Sequence, residues 1–308
     1  MKIAIVGTIS KDIIIPDKDI PCKSLGGIFY SITTLLNFLK NDEVILPISY
    51  YSNDISFLIQ AFEEKWKNVD FSHLLPVKER NFQQIFEYSN NSLSSEKAFF
   101  FFPKLCEADL CGAEAADFIL FNMISGLELD VDVFQKFTQN IYDKTYLNIK
   151  SLVYDVDSLG NKIPKRPDNI FDWLNYTRFI QLNEKEFEII NQEGIEFNRY
   201  WSGLLRPSQN VFFINEEKEV LWITNKDELK IKKYPSYPTE SFRDKTGYGE
   251  VFGAAFAYSF LKTHNISKAL EFGVLAANAS NRIVGTENQH KLADEMNSLN
   301  TKILEAVY

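Results

Sequence analysis

The sequence predicts an α/β protein built on a mostly parallel sheet, on three observations. The amino terminus reads strand, helix, strand; the same alternation resumes from Phe118 onward; and 308 residues with 45% hydrophobic content are enough to bury one large core. Right-handed crossovers between parallel neighbours are the expected connections. Residues 2–6 form a buried strand closed by Gly7, and a second apolar run, 13–15, follows Asp12 and stops at Pro16. The pair Gly26, Gly27 opens a helix expected to run through Leu39, with Ile28, Ile32, Leu35, Leu36 and Leu39 as its apolar residues. Residues 44–49 form the next strand.

The β-rich segments 81–88 and 98–102 flank a polar stretch, 89–97, and predict a hairpin that interrupts the alternation. Such a hairpin is either a cover for a site or a plain edge element. Strands are expected at 118–121, 152–156, 179–182 and 211–214, helices at 170–174 and 184–191, and short strands at 220–223 and 229–234. A long apolar helix covers 251–261. Its Val251, Ala254, Ala255, Tyr258 and Leu261 follow three-and-four spacing, while Phe252, Phe256 and Phe260 predict burial on more than one side. Helices at 266–283 and 292–307 finish the chain, which holds no internal repeat and no low-complexity linker.

With 33 basic and 42 acidic residues the net charge is -9, and no lysine or arginine stripe is present, which argues against nucleic acid as a partner. The first apolar run is too short for a signal-peptide core, and no segment reaches the length of a membrane span. The expectation is a soluble, cytoplasmic protein with no membrane partner. Cys22, Cys106 and Cys111 are odd in number and scattered, with only 3 histidines to join them, so buried thiols are expected rather than a zinc site or a disulfide framework.

The segment Asp244, Lys245, Thr246, Gly247, Tyr248, Gly249, Glu250 sets two glycines and a carboxylate at the mouth of the apolar helix. Unpaired amides at a helix start, with the positive end of the dipole, bind a phosphate-like anion. A carboxylate beside a bound phosphoryl group repels it, but can take the proton of an attacking hydroxyl. That pattern reads as phosphoryl transfer to an alcohol. An ordinary turn before a core helix, with Glu250 as a first-turn acid, accounts for the same residues. A nicotinamide dehydrogenase would need G-x-G-x-x-G after the first strand, where only Gly7 stands, and no P-loop pattern occurs.

With a glycine pair near the start and D-x-T-G-x-G-E near the end, the chain resembles the ribokinase-like, or pfkB, carbohydrate kinases over nearly its whole length. The resemblance implies a single three-layer α/β/α sandwich over 1–308, with a small β lid formed within about 13–25 and 80–103 over a sugar or nucleoside acceptor. It also implies ATP and Mg²⁺, with K⁺ as a further candidate, and a homodimer through the lid, to which the run Phe99, Phe100, Phe101, Phe102 would contribute unless it joins the core. Gly247, Tyr248 and Gly249 would form the anion hole, and Glu250 would stand where the family has its catalytic aspartate. Residues 7–12 resemble the family's G-S-x-N-x-D, which assigns Asp12, with Ser10, Ser31, Gly26 and Gly27, to the acceptor. Asn183 and Glu186 match N-x-x-E, which orders phosphate and the waters of Mg²⁺; the same pair also makes a good capping box, and both roles can coexist. Asp155, Asn215, Thr246 and Asn278 fall on the nucleotide side, and Asp244 on a monovalent-cation site.

The chain departs from the family at several points. The glycine-rich strand end near the nucleotide phosphates is replaced by Asn215, Glu216, Glu217, Lys218 and Glu219, which brings acids toward the donor. Asparagines that contact the acceptor become Ser10 and Ser31, a small residue becomes Tyr248, and Glu250 is one methylene longer than aspartate. Two readings stay open: an ATP-dependent kinase acting on a small alcohol, and a catalytically silent protein that binds a ligand or a protein partner.

Overall fold

A computed structural model describes residues 1–16, 20–89, 92–215, 217–225, 228–236 and 245–307. Strand β1 (Lys2–Gly7) lies inside the main sheet, because its residues are apolar on both faces. It pairs in parallel with β4 (Val44–Ser52) on one side and β8 (Phe118–Asn122) on the other. Parallel pairing continues outward to β5 (Leu74–Val77) beyond β4, and through β9 (Thr145–Asn148), β12 (Phe179–Asn183) and β13 (Asn210–Ile214) beyond β8. Two antiparallel strands, β14 (Val220–Asn225) and β15 (Leu229–Tyr234), complete nine in the order β15-β14-β13-β12-β9-β8-β1-β4-β5.

Alternate strand residues feed two helical layers. Ile3, Ile5, Phe118, Leu120 and Phe179 pack with α1 (Ile28–Leu36), α2 (Ser56–Lys65), α7 (Tyr248–Thr263) and α8 (Ile266–Ser280). Ala4, Val6, Ile119, Phe121 and Ile180 face α3 (Val131–Thr138), α4 (Ile170–Asn175), α5 (Glu184–Ile190) and α6 (Phe197–Leu204). The molecule is thus a three-layer α/β/α sandwich. α9 (Leu292–Val307) closes against α1, α7 and α8 through Leu292, Met296 and Leu299. Helix α7 is buried all round, as its phenylalanines predict, and Phe256 lies within 5.3 Å of the ring of Phe179 and 4.7 Å of Phe212.

A second sheet runs β3-β2-β6-β7, from β2 (Ile9–Ile15), β3 (Cys22–Gly27), β6 (Gln83–Ser89) and β7 (Ser92–Phe99). Its buried face carries Ser10, Asp12, Ile14, Gln84, Phe86 and Tyr88, while the residues between them are half-exposed. Several expectations change here. Gly26 and Gly27 end a strand rather than begin the helix, and the polar residues 92–97 are strand rather than loop. Both changes follow from antiparallel pairing, of β3 with β2 and of β7 with β6. The phenylalanine run divides: Phe101 and Phe102 pack on the main core, whereas Phe100 is exposed beneath the Arg80 guanidinium.

The third central strand is β9, not residues 152–156. Residues 150–153 make a 3₁₀ turn, and β10 (Tyr154–Val156) pairs only with β11 (Lys162–Pro164). β9 has four residues between Lys144 and Lys150, too short for a periodic signal. Cys106 and Cys111 are exposed, against the expectation of burial, because they flank a short surface turn. Among the described residues no helix is long and apolar enough to cross a membrane. Phe256→Ala, which empties the centre of the aromatic layer, is expected to cost about 3–5 kcal/mol of stability in urea denaturation, with secondary structure retained.

Candidate active site

The carboxyl ends of β1, β8, β9 and β12 lie side by side, with Gly7, Asn122, Asn148 and Gln181 in register across the sheet. In an open parallel sheet this edge is where ligands bind. The three amides are buried; Asn148 donates to Asn122 Oδ1 at 3.4 Å and Asn122 to Ser31 Oγ at 3.2 Å, while Gln181 accepts from Tyr146 Oη. Ser31 Oγ in turn donates to the Glu250 carbonyl at 3.0 Å. Ser31, expected at the acceptor, is therefore spent on anchoring α7 to the sheet.

Helix α7 starts on this platform. Gly247 is its N-cap, with φ +80°, and no side chain caps the helix. A Cβ at Gly247 would lie 2.3 Å from the Tyr30 ring, and one at Gly249 would lie 2.6 Å from Gln181 Nε2. Both positions need glycine because the backbone is pressed against its neighbours. The Tyr248 amide turns back to the Lys245 carbonyl at 3.3 Å. The amides of Gly249 and Glu250 stand in the first turn, where no intrahelical acceptor exists. The geometry suits an anion.

Glu250 is 2% exposed, and its Oε1 accepts from Lys150 Nζ at 2.7 Å. No motif marks Lys150. It stands two residues past the end of β9 with φ +34°, a left-handed backbone that costs free energy in a non-glycine residue and is found mostly at functional sites. Its side chain is 24% exposed. Burial pulls the ammonium's pKa down, but Glu250, then Glu96 and more weakly Asp12 outweigh it and hold Lys150 above its ordinary range. Glu96, on β7, pairs with Lys162, which also donates to Ser151 Oγ at 2.7 Å. Burial raises the Glu96 carboxyl, yet Lys162 and then Lys150 overcome this and leave it below the usual range. The small sheet and the 150–162 segment thus meet through charge.

Asp12 is 1% exposed on the inner face of the small sheet and accepts from Ser10 Oγ at 2.6 Å. A Cβ at Gly26 would fall 1.8 Å from Asp12 Oδ2, so the glycine is what lets the carboxylate lie flat on β3. Gly27, at φ +60°, turns the chain into α1. Tyr88 Oη lies 3.1 Å from Thr246 Oγ1 and joins the small sheet to the turn before α7. Asp12, Glu96, Glu250, Lys150 and Lys162 therefore form one buried charge cluster, to which Glu186 is coupled.

Asn183 and Glu186 form the expected capping box at α5, with the Asn183 amide and Nδ2 on the two Glu186 oxygens at 2.8 and 2.7 Å. Burial raises the Glu186 carboxyl to about 7, against the Asn183 backbone bond and the charges of Lys150 and Lys162. Among the described residues no three carboxylate, histidine or cysteine side chains cluster as metal ligands.

The nucleotide-side assignments do not converge. Asp155 is 57% exposed and paired with Lys165 at 2.8 Å; the strand expected to carry it into the cleft is the detached β10. Asn215 closes its own turn by bonding Glu219. Glu219 also meets Lys233 at 2.6 Å, and Lys233 with Asn215 holds its carboxyl below the usual range, so its charge is met locally. Asn278 is 1% exposed, donating to Val274 O at 2.8 Å and Tyr248 Oη at 3.3 Å and accepting from Ser236 at 3.0 Å. Asp244 and Glu216 lie outside the described residues.

Comparison with solved structures identifies the fold. A pyrophosphate-dependent kinase of the ribokinase family, in complex with sulfate, is 16% identical with a TM-score of 0.74, over 96% of this chain and 100% of its own. A ribokinase from Thermotoga maritima is 17% identical with a TM-score of 0.72, over 97% and 99%. A fructokinase from Xylella fastidiosa with bound ATP is 11% identical with a TM-score of 0.73, over 97% and 98%. The chain has the ribokinase-like fold. No protein-family model matches it, and no curated protein does so at a significant level.

Gly247→Ala, which combines a strained φ with a clash on Tyr30, is expected to lower stability by about 2–4 kcal/mol in thermal unfolding. Glu186, raised from 4.5 to about 7 by folding, supplies stability that is complete below pH 4.5 and lost as the pH rises through 7. In Glu186→Gln that contribution, up to about 3 kcal/mol, should be absent from the difference between denaturation curves at pH 5 and pH 8.

Proposed function

We propose that this protein is a phosphotransferase that moves a phosphoryl group from an anhydride donor to a hydroxyl of a small polyhydroxylated acceptor, of sugar or nucleoside type. The observation that carries this reading is the juxtaposition of an uncapped, glycine-lined helix start with the Glu250 carboxylate, in the same buried cluster as Asp12. The small sheet is the lid. Asp12 and Ser10 on its inner face grip acceptor hydroxyls, since a carboxylate accepts two hydrogen bonds without donating. The first-turn amides of α7 hold the migrating group, and Glu250 takes the proton of the attacking hydroxyl. The acceptor oxygen bonds to phosphorus as the bond to the donor's bridging oxygen breaks. Lys150, paired with Glu250, sets a positive charge beside the oxygens where negative charge is shared.

Mg²⁺ fits this surplus of carboxylates only through waters and the donor's phosphates, with Glu186 as an outer anchor, because both Glu186 oxygens already serve Asn183. Bound there, it would neutralise phosphate charge. The neighbours in fold include a pyrophosphate-dependent kinase and a fructokinase with bound ATP, so either donor is compatible with this architecture.

The 2.7 Å bond between Lys150 and Glu250 favours a second reading, a silent binder whose acid is permanently satisfied. Phosphorus NMR of the protein with Mg²⁺, ATP or pyrophosphate, and a panel of sugars and nucleosides separates the two. The kinase reading expects a new phosphoester signal whose rate falls about 10²–10⁴-fold in Glu250→Gln. Ligand-induced thermal stabilisation with no phosphoester in any combination would establish the binder instead.

A further inference from the structure

We infer that Tyr248 closes the groove in which a nucleoside would lie, so that the donor is a bare inorganic anhydride of the pyrophosphate type; this rests on the phosphotransferase reading above. Of the residues expected around a nucleotide, Asn215 lies on the turn after β13, which also carries Lys218, and Asn278 lies on α8. Tyr248 fills the space between them. Its hydroxyl donates to the Lys218 carbonyl at 3.2 Å and accepts from Asn278 Nδ2 at 3.3 Å, and it is 5% exposed. Lys218 Nζ lies 5.2 Å from the centre of the ring, so the phenol is covered by a cation as well.

Admitting a purine or pyrimidine there would break both bonds of a buried hydroxyl and strip Asn278 of a partner, while Ser236 and Val274 hold Asn278 in place. Asn215 is likewise engaged with Glu219 through both its Nδ2 and its Oδ1. The phosphate end is different. The cradle at Gly247 and Gly249 is built of backbone, so a large side chain at 248 that points toward α8 leaves its amides in place. A donor made only of phosphates needs nothing from the closed groove. Transfer from pyrophosphate balances without a further reactant: the acceptor oxygen takes one phosphoryl group, its proton passes to Glu250, and orthophosphate departs.

Isothermal titration with Mg²⁺ and either methylenediphosphonate or the ATP analogue AMP-PNP tests this on the whole chain. Wild type is expected to bind the diphosphonate at least about tenfold more tightly than AMP-PNP, and Tyr248→Ala to gain affinity for AMP-PNP as the groove opens. Tyr248→Phe, which keeps the ring but not the bridge, should still exclude AMP-PNP more than Tyr248→Ala does. Wild type binding AMP-PNP as tightly as the diphosphonate overturns the inference and leaves the phosphotransferase reading standing. If neither wild type nor Tyr248→Ala binds either compound, both readings fall. Should Tyr248→Ala not fold, the wild-type preference alone decides.

Discussion

The contact between the first turn of α7 and the ends of the central strands is the constraint on which the site depends. Two residues, Gly247 and Gly249, present no Cβ to Tyr30 and Gln181, so backbone meets ring and amide directly. That approach puts the Glu250 carbonyl within reach of Ser31, and through Asn122 and Asn148 it ties the helix to β8 and β9. A buried hydroxyl and two buried amides satisfied in series make a rigid support, because each loss would leave a polar group without a partner in a dry layer. Glu250 is thereby fixed by the backbone beneath it rather than by its side chain.

Once that helix start is fixed, the charges follow. Four carboxyl groups, Asp12, Glu96, Glu186 and Glu250, share a buried region with Lys150 and Lys162. Bringing ions out of water is costly, and two ammonium groups cannot meet four carboxylates in full. The molecule answers unevenly. Glu250 and Glu96 receive the lysines, Asp12 a serine, and the Glu186 carboxyl, pushed up to about 7 by burial, approaches neutrality near pH 7. Lys150, with a left-handed backbone, pairs with Glu250 on α7 and feels the charge of Glu96 and Asp12 on the small sheet.

On the α8 side of the helix start, one bulky residue gathers its neighbours. Tyr248 extends away from the cradle, and three groups, Lys218, Asn278 and Ser236, are arranged around it. The turn that would approach a nucleotide is closed on itself by Asn215 and Glu219, and Lys233 neutralises the acid. Asn215, Glu219 and Tyr248 fit together, since the polar groups of each are met by a neighbour.

Local chemistry determined much of this protein by itself. Apolar runs marked β1, β8, β12 and β13, three-and-four spacing marked α7, and the glycines around Tyr248 marked the helix start, because each signal is held within a few adjacent residues. The capping box of Asn183 and Glu186 was legible for the same reason. Short β9 and the strand ending in Gly26 and Gly27 were not, since four to six residues carry too little periodicity to outweigh their polar neighbours. A repeated asparagine at the ends of β8, β9 and β12 was the available hint of the amide platform. Only the tertiary structure decided that Lys150 meets Glu250 across 100 residues, that Asp155 faces solvent, and that Asn278 supports a tyrosine. Those outcomes depend on which strands become neighbours and how deeply each end is buried, and distances between remote residues have no local signature in a chain.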